Sequence, residues 1–300
     1  MRKFYFICYF TLAVAMPWLN GCIREDRDDC KGRVMLRFRY VGDGTTDIFP
    51  DKIEKVTVYV YSADNDALVG VSEYDKTALT KYQGADIYLF PGRYEVVCWG
   101  NILENSRARE SDRVAAPEHF TQDDIATNDR LYYGSLEVEV PETLAETECF
   151  CDFVSSHVKM QVRLEGFVGS VAPGTGVGGT PDFHLAMTNL ASYVDFDNVP
   201  AADEPVTYYP ELTVDPQDPS SYIAAFNTLR FNDDNDIMLQ VHSGTRAVLH
   251  EFGLADFLDQ HQIGVEGYHE AMVSIRIRAN ATGVVVEDWE SVDVTPGFDN

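Results

Sequence analysis

Cys22 is the residue of this 300-residue chain best placed for chemistry, because it follows the small Gly21 in the stretch Leu19-Asn20-Gly21-Cys22. A thiolate there can act as the nucleophile for a lipid, and a small neighbour lets a peptidase approach closely. Further along are Cys30, Cys98, Cys149 and Cys151, an even number that an oxidising compartment would allow to pair. A disulfide from Cys30 to Cys149 or to Cys151 is one expectation. Cys98 lies in a strongly apolar strand pattern and reads as a small buried hydrophobe. Cys149-Phe150-Cys151 lacks the two-residue spacing of a zinc or thioredoxin-type pair, so no metal is expected there.

Other motifs lose to plainer readings. Gly174-Thr175-Gly176-Val177-Gly178-Gly179 satisfies the dinucleotide fingerprint, yet Pro173 precedes it and Thr180-Pro181-Asp182 follows, leaving no helix for a pyrophosphate. It reads as a flexible loop, and no cofactor is expected. Asn232 to Asp236 offers hard oxygens for calcium but lacks the glycine and late glutamate of an EF-hand loop, so a solvated turn is favoured. His250-Glu251 has no second histidine at zincin spacing. Trp99 and Trp289 could stack on sugars, although the strand pattern around Trp99 favours core packing. With 49 acidic residues, any chosen carboxylate pair is uninformative. No catalytic residue emerges, and a non-enzymatic protein is expected.

The segment before Cys22 explains its reactivity. Arg2 and Lys3 lead into sixteen uncharged, mostly apolar residues, Phe4 to Leu19, which is the order of a secretory signal. A membrane-spanning helix needs roughly 20 apolar residues, and Pro17 and Asn20 interrupt a run that is already short. The tetrapeptide ending in Cys22 resembles a bacterial lipobox. That resemblance implies cleavage between Gly21 and Cys22, a diacyl group on the thiol, and further acylation of the new amino terminus.

Charge then limits the partners. The chain carries 23 basic and 49 acidic residues, net −26, and loss of Arg2 and Lys3 with the signal takes it from −26 to −28. Such a surface is repelled by phosphate backbones and anionic headgroups, which argues against nucleic acid. Membrane attachment must come from lipid, and two or more acyl chains hold a protein stably where one does not.

The elements that would carry these residues are strands. Val34, Leu36, Phe38 and Tyr40 alternate with Met35, Arg37 and Arg39; Val56, Val58 and Val60 alternate with polar neighbours and turn at Asp64-Asn65-Asp66 into a hairpin. Ile87 to Phe90 meets the turn Pro91-Gly92 and a returning strand at Tyr94, Val96 and Cys98. Val158, Met160, Val162 and Leu164 mark another half-buried strand. Short helical turns are expected at Thr121 to Thr127 and Leu254 to Gln260. Many short strands with frequent turns indicate an all-β chain of β-sandwiches, and about 280 mature residues suit two of them. The reading assigns 1–21 to the signal peptide, 22–33 to an acidic tether, 34–145 to a first sandwich and 146–300 to a second. No short-period internal repeat is visible.

Cys22 with its acidic stretch and Cys30, Val34-Met35-Leu36-Arg37-Phe38-Arg39-Tyr40, Ile53 to Tyr61, and Leu89-Phe90-Pro91-Gly92-Arg93-Tyr94-Glu95-Val96-Val97-Cys98-Trp99-Gly100 resemble the FimB-type fimbrial anchor lipoproteins, relatives of the fimbrillins. The first hundred residues carry most of that likeness. It implies two tandem transthyretin-like, Greek-key sandwiches, an outer-membrane lipid anchor exposed at the surface, and fimbrial shaft subunits as partners through strand addition. Arg107, Arg109 and Arg113 lie in a polar loop with no spacing that marks a processing site. The rival reading is a surface glycan-binding lipoprotein.

Overall fold

The computed structural model describes residues 30–109, 111–167 and 183–289. Gly21, Cys22 and the glycine-rich run at Gly174 to Gly179 lie outside them.

The chain is all-β with four short helices among the described residues. The first unit comprises β1 (Gly32–Arg39), α1 (Phe49–Lys52), β2 (Val56–Ser62), β3 (Leu68–Tyr74), α2 (Lys76–Lys81), β4 (Gly84–Leu89), β5 (Gly92–Gly100), β6 (Arg107–Arg109), β7 (Arg113–Ala115), α3 (Pro117–Thr121), β8 (Tyr132–Val140), β9 (Thr147–Asp152) and β10 (Val154–Ser155). The second comprises β11 (His157–Glu165), β12 (Phe183–Ala191), β13 (Val194–Asp195), β14 (Pro205–Tyr208), β15 (Thr213–Val214), β16 (Ser221–Leu229), β17 (Met238–Ser243), β18 (Val248–Gly253), α4 (Leu254–His261), β19 (Met272–Asn280) and β20 (Gly283–Asp288).

Each unit stacks two sheets. In the first, β4-β1-β9 faces β10-β8-β5-β2-β3; in the second, β15-β16-β11-β19-β20 faces β14-β12-β17-β18. Alternation explains the packing. Val34, Leu36 and Phe38 point into one core while Arg33, Met35 and Arg37 stay half-exposed outside, and Val158, Met160, Val162 and Leu164 do the same on β11.

The two units repeat one plan. β1 pairs antiparallel with β4 and parallel with β9, as β11 pairs antiparallel with β16 and parallel with β19. The opposite sheet runs β3-β2-β5-β8 in the first unit and β14-β12-β17-β18 in the second. Seven strands therefore share an order that no short-period sequence repeat announces.

Several local expectations change. Pro91-Gly92 joins β4 to β5, which lie in opposite sheets, so the turn is a corner and the expected returning partner of β4 is β1 instead. Gly92 has a φ of +153°, open to glycine but not to side-chain-bearing residues. The helical turn expected at Thr121 to Thr127 sits earlier, at α3, with Pro117 in its first turn where a missing N–H costs nothing. The expected division after residue 145 falls ahead of β9 and β10, which pair with β1 and β8. Sheet partners change between Ser155 and His157.

Candidate assembly interface

A sheet edge presents unpaired N–H and C=O groups, so the edges are where this molecule can join another chain. In the second unit, extra segments cover three edges: β15 lies on β16, β20 lies on β19, and Ile125 of the first unit bridges Tyr208 of β14, with Tyr209 N donating to Ile125 O at 2.7 Å. Among the described residues the equivalent edges of the first unit, β3, β4 and β9, carry no such cover.

β3 is the most open of these. Leu68, Val69 and Val71 are all exposed, and a Cβ built on Gly70 would meet nothing within 4 Å. Its sequence favours a strand, yet both faces meet solvent. Tyr74 pins its far end, donating to Asp86 O of β4 at 3.4 Å. β4 adds exposed Tyr88, followed by Phe90, on the same flank, and β9 exposes Phe150 at 66%. The second unit's most apolar bare edge is β18, with Val248 and Leu249 exposed.

The units meet over a core of their own. Tyr59, Val97 and Trp99 from the outer face of the β2-β5-β8 sheet pack with Val114, Leu131, Val194 and Leu229. Phe196 closes on Trp99 and Tyr59 with ring centroids at 6.0 and 4.7 Å. Trp99 is wholly buried and Trp289 nearly so, against the Arg163 guanidinium, so neither indole offers a face to a sugar.

A polar cluster flanks this seam. Glu270 of the second unit accepts from Tyr40 Oη at 2.7 Å, Lys52 Nζ at 2.6 Å and Lys159 Nζ at 3.1 Å. Burial alone would raise its carboxyl; the Lys52 and Tyr40 hydrogen bonds and the two lysine charges outweigh that and bring it down to about 2. Asp43 accepts from the backbone N–H groups of His269 and Glu270 at 2.7 and 3.0 Å. His157, at the junction, donates from Nδ1 to Leu131 O at 2.9 Å, since a carbonyl can only accept. Burial pushes this imidazole down to about 4 despite that hydrogen bond.

The cysteines expected to pair are free thiols, Cys30 exposed, Cys149 half-buried and Cys151 buried. Register is the reason. Cys149 lies opposite Leu36 and Cys151 opposite Phe38 on a parallel strand, six and eight residues beyond Cys30 along β1. At about 3.3 Å per residue that is roughly 20 Å or more, beyond any disulfide. Asp233, in the candidate calcium stretch, instead accepts from the N–H groups of Val265 and Glu266 at 2.6 and 3.2 Å, so it holds a loop. The hairpin of β6 and β7, which carries Arg107, Arg109 and Arg113, escaped the alternation pattern because its strands are three residues each.

A family model of the fimbrillin-A associated anchor proteins Mfa1 and Mfa2 matches residues 27–295. The chain belongs to that family. Among solved structures, the fimbrial anchor protein Mfa2 of Porphyromonas gingivalis shares 15% identity with this family member, with a TM-score of 0.65 over 87% of this chain and 98% of that one. A candidate adhesin from Bacteroides ovatus gives 17% identity and a TM-score of 0.66, covering 86% and 95%. A candidate polysaccharide-binding protein from Bacteroides thetaiotaomicron gives 16% and 0.63, covering 86% and 96%. No curated protein matches the chain. The family is a fimbrial one, and among the described residues of this chain no helix is long and apolar enough to cross a membrane.

Proposed function

We propose that the protein holds or terminates a fimbrium at the outer membrane, tethered through lipid on Cys22 and joined to a shaft subunit by strand addition at the β3 and β4 flank. The observation that carries this reading is that the flank is bare among the described residues, while every equivalent edge in the second unit is covered by β15, β20 or Ile125. An added strand would satisfy the outward N–H and C=O groups of β3 and cover Leu68, Val69 and Val71. The two units, in this proposal, divide at residue 156. The signal peptide is removed after Gly21, and the acidic segment from Cys22 to Lys31 links the bilayer to β1. Palmitate or a similar acyl chain on Cys22, with a second on the same residue, supplies the membrane affinity that the net negative charge denies.

Envelope fractionation with pull-down tests both halves. Cys22→Ala is expected to abolish fatty-acid labelling and release the protein from membranes. Val69→Lys with Val71→Lys should leave it in the membrane but without co-purifying fimbrial subunits. Subunit recovery at the unsubstituted level from that double variant would remove β3 as the joining edge.

A further inference from the structure

We propose that Cys98 and Cys151 form a disulfide that staples the two sheets of the first sandwich together. Cys98 lies on β5 and Cys151 on β9, strands of opposite sheets, and both side chains are fully buried in one core. Both are free thiols in the structure, the reduced state from which the bridge would form.

Gly134 makes room for the two to approach. It pairs directly with Cys98 across β5 and β8. A Cβ built on it would stand 2.7 Å from Cys151 Sγ and 3.1 Å from Asp152 O, so the space of its missing side chain is where the second sulfur sits. Immediately afterwards the chain leaves its own sheet and joins the opposite one as β10, with Val154 opposite Tyr133. At this corner Cys151 Sγ therefore lies beside Gly134, the residue directly opposite Cys98, and a disulfide needs that kind of close approach.

The reaction joins the two sulfurs with loss of both thiol hydrogens. The two electrons and two protons pass to a disulfide oxidant, either oxidised glutathione or a dithiol-disulfide oxidoreductase, which is left as two thiols. The Cys151 contact and burial hold the Cys98 thiol well above its ordinary range, so it reacts poorly once the core has closed. The bridge therefore forms while the chain folds. The inference rests on the proposed surface location only for its supply of oxidant.

The full chain, isolated from envelopes and quenched with N-ethylmaleimide under denaturing conditions, would be digested without reductant and weighed by mass spectrometry. The peptides carrying Cys98 and Cys151 are expected as one joined species that reductant separates, with Cys30 and Cys149 alkylated. In parallel, purified protein would be reduced, unfolded and refolded in mixed reduced and oxidised glutathione. Refolded chain should give the same joined peptides and a Tm several degrees above its reduced form. The Cys98→Ala, Cys151→Ala double variant should have a Tm that reductant does not move. Refolded protein in which Cys98 and Cys151 are alkylated, or joined to Cys30 or Cys149, overturns the proposal. A bridge in the refolded sample but free thiols in the envelope supports the pairing and counts against the location instead.

Discussion

The first and second sandwiches share seven strands in one order but finish their edges differently. In the second, β20 extends the sheet beyond β19 and places Val284 and Val286 against the core, β15 caps β16, and a single residue of the first unit, Ile125, caps β14. In the first, among the described residues, β3, β4 and β9 end bare, and β8 alone gains a cover, in β10. The difference teaches that the fold itself tolerates either state. A completed flank makes a self-contained domain, and an open one makes a domain able to take a strand from another chain.

Removing a cover should show how much the second unit depends on it. Deleting residues 283–300 takes β20 away, and the loss of two half-buried valines with their ladder is expected to cost about 3 kcal/mol or more, read as a lower Tm by calorimetry. Among the described residues, the first unit has no strand beyond β9 whose deletion would be equivalent. Comparable in size is the seam. Trp99→Ala empties its centre, and an indole deletion of this kind costs about 3–5 kcal/mol. Calorimetry should then resolve two transitions, where the parent is expected to give one.

The His157 imidazole sharpens the comparison through pH. Its folded value, about 4, lies below the ordinary 6.5, so between those values the unfolded chain takes up the proton first. Stability therefore falls as pH drops from about 6.5 to about 4, by roughly 3 kcal/mol in all. His157→Gln should flatten that limb of a denaturation series. Glu270 acts lower: its depressed carboxyl stabilises the fold above the ordinary value of 4.5, and that contribution is lost as pH falls through about 2. The smallest expected change in stability is at the β3 edge. Val69→Lys with Val71→Lys should move urea-denaturation stability by only about 0.5 kcal/mol, since both side chains already face solvent. A large loss would mean that β3 is covered within this chain.

Much of this was legible in the sequence. Strict alternation at Val34 to Tyr40 and Val158 to Leu164 identified the two central strands, because one face of each is dry. The helix at α4 was readable within one residue, since Leu254, Phe257 and Leu258 share a buried face. Strand pairing was not readable. Pro91-Gly92 looks the same whether it returns a strand to its own sheet or carries it to the other, and only the pairing of Gly92 with Val140 decides. The repeat was hidden because it resides in strand order, which different side chains can satisfy. At the edges, composition named apolar strands but gave no sign of which neighbour was missing. The seam was half legible: Trp99 was readable as core, yet its partners Val194 and Leu229 are far along the chain.

The setting of β1 has a mechanical consequence. It is the first described strand after Cys30, and it is held along its length between β4 on one side and β9 on the other. A pull entering at the amino terminus runs along this strand, so both ladders are loaded in shear and their hydrogen bonds must fail together rather than one at a time. Arg33, Arg37 and Arg39 add pairs to Asp86, Glu148 and Asp152 of the neighbouring strands and their flank. The attachment proposed at the amino terminus would thus place a strand held on both sides at the point where drag arrives.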